Sequence, residues 1–182
     1  MHYLDDQELR ALLEVTYRDN RLLHMAVLLT AYHGLRINEL LQLKADDVQG
    51  RYLRVKALKK GTERLEPIRC NSNPLLDESL VAVHANSVRV CNQFRLFPWY
   101  EMKLSRMFKK ACTLAGIPPQ KAHWHSLRHS TAMMAFRGTV SLGSVKEVLR
   151  HKSSSAALVY LSETNLDKGY DAVTDGLNGL FS

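Results

Sequence analysis

Hydrophobic side chains recur along most of the chain at the spacing of an α-helix. Leu9, Leu12 and Leu13 share one helix face, and Asp5 or Asp6 is placed to cap the N-terminus of that helix. The chain is therefore expected to be mostly helical. The same pattern predicts further helices over residues 21–32, 37–43, 75–88, 101–115, 126–137, 144–150, 154–162 and 165–180.

One segment changes from the helical period to the strand period. Residues 53–57 alternate apolar and basic side chains, residues 59–62 (Lys-Lys-Gly-Thr) are typical of a turn, and residues 64–68 form the return strand. Pro67 lacks an N–H donor, which favours an edge strand. We therefore expect an α+β fold, mostly helical with one small antiparallel β-sheet, in a single domain over residues 1–182.

Composition excludes several classes of protein. Of the 182 residues, 46% are hydrophobic and 24% are charged, as in ordinary globular domains. No apolar run reaches the roughly 18 residues that a membrane helix needs. Cys70, Cys91 and Cys112 form neither an even disulfide set nor a Cys-x-x-Cys pair. These features predict a soluble cytoplasmic protein without a membrane segment.

The charge of the chain indicates a polyanionic partner. The net charge is +7, and residues 51–69 alone carry seven basic and two acidic side chains. Residues 103–110 and 121–152 are also basic, whereas residues 1–20 and 161–182 carry more acids than bases. Nucleic acid is the commonest partner of such a basic region, although a solvated cationic face gives the same composition.

Two candidate chemical groups lie in the first half of the chain. Arg36 precedes a short helix and has Glu39 one turn further on, so the two side chains are able to pair. Lys60 lies at the predicted hairpin turn, where a solvated lysine is the ordinary finding. Neither position is specific by itself.

Four further candidates lie in the second half. His125 and Arg128 are three residues apart on one face of a predicted helix, near its N-terminus, where a guanidinium helps to bind phosphate. His151 follows a short predicted helix, and Tyr160 lies nine residues later among apolar residues. Burial in an ordinary core is the simple explanation of Tyr160.

Taken together, these segments resemble the catalytic domain of the tyrosine recombinases, the phage integrase family. Residues 28–44 are similar to the first arginine box of that family, and residues 55–68 are similar to its catalytic hairpin. The stretch from His125 to Ser130 (His-Ser-Leu-Arg-His-Ser) resembles its His-x-x-Arg box, and residues 148–151 with Tyr160 resemble its last box. The resemblance covers about residues 4–162.

The resemblance implies cleavage and rejoining of DNA strands through a 3′-phosphotyrosyl intermediate, with no metal and no cofactor. Guanidinium groups stay protonated and clamp phosphate oxygens, a phenol is a nucleophile, and a lysine is able to protonate the leaving 5′-oxygen. The implied roles are Tyr160 as nucleophile, Arg36 and Arg128 on the scissile phosphate, Lys60 as general acid, His125 in acid–base catalysis, His151 on the phosphate, and Glu39 in support of Arg36. Residues expected to contact DNA are Lys56, Lys59, Arg64 and Arg150.

The family resemblance also implies partners. We expect double-stranded DNA, a homotetramer on paired DNA sites, and a monomer without DNA. The tail over residues 165–180 has one apolar and one acidic face, and we expect it to dock on a neighbouring protomer, with docking in cis as the alternative. A helical core-binding domain usually precedes the catalytic domain in this family, so we expect either an excised catalytic domain or a short member such as the fimbrial phase-variation recombinases.

Three departures from the family pattern deserve note. His33 stands where the family usually has threonine, and Arg150 stands where it usually has glycine. Lys59 precedes Lys60, so the general acid is ambiguous by one position.

Three alternative functions are compatible with parts of the same sequence. His123, His125 and His129 have spacing compatible with a metal site, although no acid or cysteine lies near them in sequence. A type IB topoisomerase uses the same chemistry as a recombinase. A DNA-binding regulator could keep the same fold without catalysis, but the presence of all six candidate groups argues against that function.

Overall fold

A computed structural model describes residues 2–56, 63–139 and 166–181. Helix α1 spans Asp6–Asp19 and α2 spans Arg21–His33. Asp5 begins α1 with a capping box, in which its carboxylate accepts from the N–H of Glu8 at 2.9 Å while its own N–H donates to the Glu8 carboxylate at 2.8 Å. Gly34 ends α2 in the left-handed conformation at φ 57°, where glycine carries no Cβ penalty.

The remaining helices follow the predicted order with shifted boundaries. They are α3 (Ile37–Leu41), α4 (Leu80–Val90), α5 (Glu101–Leu114), α6 (Trp124–Thr139) and α7 (Leu166–Gly179), with single 3-10 turns at Ala45–Asp47 and Pro119–Lys121. The prediction that α4 begins at residue 75 is wrong. Asn73 accepts from the N–H of Leu75 at 3.0 Å and Asp77 accepts from the N–H of Ser79 at 3.0 Å, so side chains hold this backbone in turns before the helix. The helices predicted over 144–150 and 154–162 lie outside the described residues.

A three-stranded antiparallel sheet carries the predicted hairpin. Its strands are β1 (Val48–Gln49), β2 (Tyr52–Lys56) and β3 (Glu63–Pro67), in the order β1-β2-β3. Leu53 lies opposite Glu66, and Pro67 ends β3 at the sheet edge, as predicted. The short strand β1 was not predicted, because two residues show no alternation. The expected fold class is confirmed.

Helix α2 lies at the centre of the core. Ala26, Val27, Leu28, Leu29 and Ala31 are each at most 2% exposed, so this helix is covered on all sides. It packs between α1 and α6. This burial fixes the C-terminal end of α2, from which the chain continues directly into the segment that carries Arg36.

The tail helix α7 packs against α6 and α2 of the same chain. Val173 and Leu177 are fully buried, and Gly176 allows close approach because a Cβ there would lie 3.2 Å from Met134. Polar contacts at the edge add to this packing, with Asp171 3.2 Å from the Arg69 guanidinium. This is the cis arrangement; exchange of the tail between protomers stays a prediction.

None of the helices in the described part of the chain has the length and apolarity needed to cross a bilayer. Cys70 and Cys91 are exposed and Cys112 is buried, each as a free thiol.

Candidate functional site

Arg36 and Glu39 are joined by two hydrogen bonds at the start of α3. The backbone N–H of Arg36 donates to Glu39 Oε2 at 2.9 Å, and its Nη1 donates to Glu39 Oε1 at 2.8 Å. The Glu39 side chain is completely buried, whereas the Arg36 side chain is 37% exposed. The carboxylate therefore orients a guanidinium that still reaches solvent.

Arg128 lies in α6 and is the largest fully buried side chain among the described residues. Its Nη1 donates to the carbonyl of Gly34 and lies 3.7 Å from Glu39 Oε2. A buried guanidinium requires a charged or hydrogen-bonding partner, because desolvation of an unpaired charge is strongly unfavourable. Glu39 thus connects two arginines that are far apart in sequence, Arg36 and Arg128.

A hollow of about 530 Å³ opens beside this pair. Arg36, Arg128, His123 and His125 give it a basic lining, and Glu101 is the acid among the residues that line it. The first turn of α6 contributes Trp124 and His125 to the wall, so this helix end and the two arginine residues line one space. Guanidiniums and the first turn of a helix are both features that bind anions, and phosphate above all. Its full lining is Leu35, Arg36, Ile37, Asn38, Glu101, Ser105, His123, Trp124, His125 and Arg128.

The pKa of His125 is lowered from its ordinary value. Burial is the main cause, and the positive charges of Arg128, His123 and Arg36 add to it. His125 is therefore neutral at pH 7 and is able to accept a proton beside the hollow. Its ring meets His129 edge-on, with centroids 4.4 Å apart.

His123 has a local structural role. Its Nδ1 accepts from the backbone N–H of Ser126 at 3.1 Å, which caps α6 and explains why the helix begins two residues earlier than predicted. Within the described residues, which include His123, His125 and His129, no three His, Cys, Asp or Glu side chains are grouped to hold a metal ion. The structure therefore does not support the alternative of a histidine metal site.

Of the predicted DNA contacts, two lie in the described part of the hairpin. Lys56 Nζ lies 3.4 Å from Glu63 and 3.8 Å from Asp47, so its charge is partly compensated. Arg64 is half-buried in β3. The remaining predicted residues lie outside the described residues: Lys59, Lys60, Arg150, His151 and Tyr160.

The structure adds basic residues that sequence reasoning missed. A second hollow of about 430 Å³ is lined in part by Glu39, Lys44, Arg54 and Arg95. A backbone bridge between residues 44 and 95 brings two of them together. Lys44 ends the first arginine box and Arg54 lies in a segment already known to be basic, but no pattern in the sequence marked Arg95.

The comparison with protein families decides the classification. The model of the phage integrase family matches residues 2–166. The chain belongs to the phage integrase family. This agrees with the resemblance drawn from the four sequence boxes, and neither the topoisomerase nor the silent regulator is favoured by the matches.

Curated members of the phage integrase family include close matches. The tyrosine recombinase XerA of Pyrococcus furiosus is 30% identical over 172 residues, which cover 88% of this chain and 57% of that protein. A tyrosine recombinase of Thermosipho africanus is 28% identical over 180 residues, covering 94% of this chain and 60% of that protein. The chain thus spans about three fifths of the length of these relatives.

Solved structures in the same family share the fold. The crystal structure of XerA recombinase has a TM-score of 0.69 at 22% identity and covers 96% of this chain and 65% of its own. The XerH recombinase bound to difH substrate has a TM-score of 0.70 at 21% identity, over 96% of this chain and 54% of its own.

Proposed function

We propose that this chain is the catalytic domain of a site-specific DNA recombinase that cleaves and rejoins strands through a 3′-phosphotyrosyl intermediate. The observation that supports it most is the arginine pair, Arg36 and Arg128, held by one buried carboxylate beside a basic hollow. Membership of the phage integrase family and the tyrosine recombinases among its relatives support the same activity.

Charge stabilisation is the chemistry that the described part of the site suits. Attack on a phosphodiester passes through a state with extra negative charge on the non-bridging oxygens. In this proposal Arg36 and Arg128 donate to these oxygens, and the contacts of both guanidiniums with Glu39 support a pre-organised pair. Pre-organised donors of this kind lower the barrier because they need no reorganisation during the reaction. The guanidiniums supply the positive charge at the phosphate, so the proposed mechanism assigns no step to a metal or cofactor.

The remaining steps are assigned from the sequence boxes. The phenolic oxygen of Tyr160 bonds to phosphorus as the bond to the 5′-oxygen breaks, and the electron pair leaves with that oxygen, which takes a proton from Lys60. His125, neutral at pH 7, accepts the phenol proton, and His151 donates a hydrogen bond to the phosphate. Attack by a 5′-hydroxyl on the phosphotyrosine reverses these steps and rejoins a strand.

The proposal includes double-stranded DNA as substrate and assembly on paired sites. One solved relative is described as a lambda integrase tetramer bound to a Holliday junction, and another as XerH bound to a palindromic difH substrate. We extend the tetramer to this chain on DNA and expect a monomer without it. Lys56, Lys59, Arg64 and Arg150 are the proposed DNA contacts, the last of them next to His151.

We also propose that the protein acts in the bacterial or archaeal cytoplasm, at the nucleoid, and serves a mobile element.

Replacement of Tyr160 tests this function. A binding site is first selected from a randomised duplex library, and a nicked suicide duplex with that site then traps the covalent adduct on a denaturing gel. The wild-type chain is expected to form the adduct, and Tyr160→Phe is expected to bind the duplex equally well without forming it, because only the attacking oxygen is removed.

Tyr100→Phe is the matched control. Tyr100 is exposed and lies immediately before α5, next to Glu101 of the hollow, so its loss tests for a nonspecific effect of removing a phenol there. The Tyr100 variant should keep the adduct. An adduct that persists in Tyr160→Phe would overturn the assignment of the nucleophile, and a wild-type chain that never forms one would overturn the proposed function.

A further inference from the structure

Three buried ionisable side chains meet away from the basic hollow. His33 Nδ1 lies 2.8 Å from Glu66 Oε2, and His33 Nε2 lies 2.9 Å from Glu78 Oε1. All three side chains are at most 1% exposed. We call these three residues the His33 cluster. It includes His33, one of the positions at which the sequence departs from the family pattern.

The His33 cluster joins three separate parts of the chain. His33 is the last residue of α2, Glu66 lies in β3, and Glu78 lies in the segment before α4. Glu78 also ties down the end of the hairpin, because its Oε2 accepts from the N–H of Arg69 at 2.9 Å and its own N–H donates to the Arg69 carbonyl at 3.0 Å. The hairpin is thereby anchored to the end of α2 through side chains.

The geometry fits a charged histidine. Each ring nitrogen faces a carboxylate oxygen. When both carboxylates are ionised, both ring nitrogens must donate, and since a neutral imidazole has a single N–H, that state requires the imidazolium form. Burial alone lowers the pKa of His33, but the charge of Glu78 and the hydrogen bonds that Glu66 and Glu78 accept from the ring outweigh it and raise the pKa to about 9. A buried cation between two buried anions holds its partners in place, because separating them would leave unpaired charge in the core.

The cluster is connected along the chain to both parts of the proposed site. On one side, Gly34 follows His33 and its carbonyl accepts from Arg128, and Arg36 follows two residues later. On the other side, Glu66 lies opposite Leu53 of β2, and the segment that connects β2 to β3 carries Lys59 and Lys60 in the sequence. A displacement of β3 relative to α2 would therefore change the position of the hairpin relative to the arginines.

We propose that His33 is a positioning residue which, by binding Glu66 and Glu78, sets the place of the hairpin relative to the arginine pair and thereby the protonation of the leaving 5′-oxygen. This inference rests on the proposed function, with the general acid on the hairpin. His33 does not touch the reacting atoms in this scheme. It acts through β3, so its loss should impair proton delivery more than charge stabilisation.

His33→Gln tests the proposal because the glutamine amide is uncharged and both of its N–H donors are on one nitrogen, so it does not reproduce an imidazolium with one donor on each side. Single-turnover cleavage is followed on two nicked duplexes, one with the natural phosphodiester and one with a 5′-bridging phosphorothiolate, whose sulfur leaves without a proton. His33→Gln is expected to be slower than wild type by at least about tenfold on the phosphodiester and within about threefold on the phosphorothiolate. Faster amide exchange in β2 and β3, with α1 unchanged, is expected alongside.

His24→Gln is the matched control. His24 is also buried in α2, but its Nδ1 lies 3.0 Å from the Thr16 hydroxyl and its side chain pairs with no carboxylate in the described contacts. The ratio of the His24→Gln cleavage rate to the wild-type rate should be the same on the phosphodiester and the phosphorothiolate duplex. If His33→Gln fails to fold, Glu66→Gln replaces it, since this change preserves the shape of the side chain while removing its charge.

The outcomes separate the two claims. Slowing that is equal on both duplexes, or absent on both, would overturn the positioning role of His33 while the wild-type adduct still supports the proposed function. A wild-type chain that forms no adduct on either duplex would instead overturn the proposed function. Unchanged exchange in β2 and β3 would also refute the inference, because the hairpin would then keep its place without the cluster.

Discussion

The His33 cluster predicts a loss of stability between neutral and alkaline pH. His33 has a pKa of about 9 in the folded chain, against about 6.5 for an unperturbed histidine. Because the folded value is the higher one, the stabilisation is fully present below about pH 6.5 and is lost as the pH rises through about 9. Above that range neither form of the chain binds the proton.

The size of the loss follows from the pKa difference. Each pH unit between the two values removes about 1.4 kcal/mol from the free energy of unfolding, because the folded chain holds one proton more than the unfolded chain. The two pKa values of about 6.5 and about 9 thus give a loss on the order of 3 kcal/mol. Burial also raises the pKa values of Cys112 and Tyr32. Their deprotonation reduces the free energy of unfolding at higher pH than that of His33.

Urea denaturation of the wild-type chain and His33→Gln at pH 6, 7.5 and 9 measures this loss. The wild-type free energy of unfolding should fall with pH, while that of His33→Gln should stay nearly level, so the two curves converge. Titrating groups that do not contact His33 are common to both chains and cancel in the difference.

His24→Gln supplies the control for a buried histidine without anionic partners. Burial, with the charge of Arg21, lowers the pKa of His24 to about 4. Because the folded pKa of His24 is the lower one, its contribution to the free energy of unfolding is complete above about pH 6.5 and is lost only as the pH falls. From pH 6.5 to 9, the free energy of unfolding of His24→Gln should therefore change with pH in parallel with that of the wild type. Parallel curves for wild type and His33→Gln would refute the reasoning, because His33 would then not be charged in the folded chain.

Three further predictions test other parts of the molecule. If Lys60 is the general acid, Lys60→Ala should cleave the 5′-bridging phosphorothiolate at nearly the wild-type rate but the phosphodiester slowly; rescue of Lys59→Ala instead would exchange the two roles. Leu177→Ala should reduce the free energy of unfolding by about 2–5 kcal/mol in urea, independently of protein concentration, since Leu177 is fully buried in cis; a loss that depends on concentration would show exchange between protomers. Glu39→Ala should reduce that free energy by about 3–5 kcal/mol, because it leaves the buried guanidinium of Arg128 without its carboxylate, whereas Glu101→Ala should leave it nearly unchanged.

Local features of the sequence were enough to predict most elements of the described fold. Leu9, Leu12 and Leu13 fall on the buried face of α1, and the Asp5 cap forms as expected. These properties depend on residues three or four apart, whose relation is set by helix geometry. The start of α4 was mispredicted for a local reason as well, because Asn73 and Asp77 satisfy backbone donors in turns that compete with the helix.

The order and spacing of the sequence boxes determined the family and the candidate residues of the site. They did not determine how those residues meet. Glu39 was expected to pair with Arg36 one turn away, but its approach to Arg128 follows from the packing of α6 on α2. Arg95 lines the second hollow beside Lys44 because a backbone bridge joins the two residues, and the hydrophobic periodicity of the sequence does not predict that bridge.

Tertiary structure alone decided the surroundings of His33 and of the tail helix. In the sequence His33 was a departure from a pattern, with no sign that Glu66 and Glu78 would face its two ring nitrogens. The apolar face of α7 was visible in the sequence, while its packing on α6 at Met134 was not. The physical reason is common to both: periodicity shows which side of an element avoids water, whereas the partner on that side depends on contacts between segments far apart along the chain.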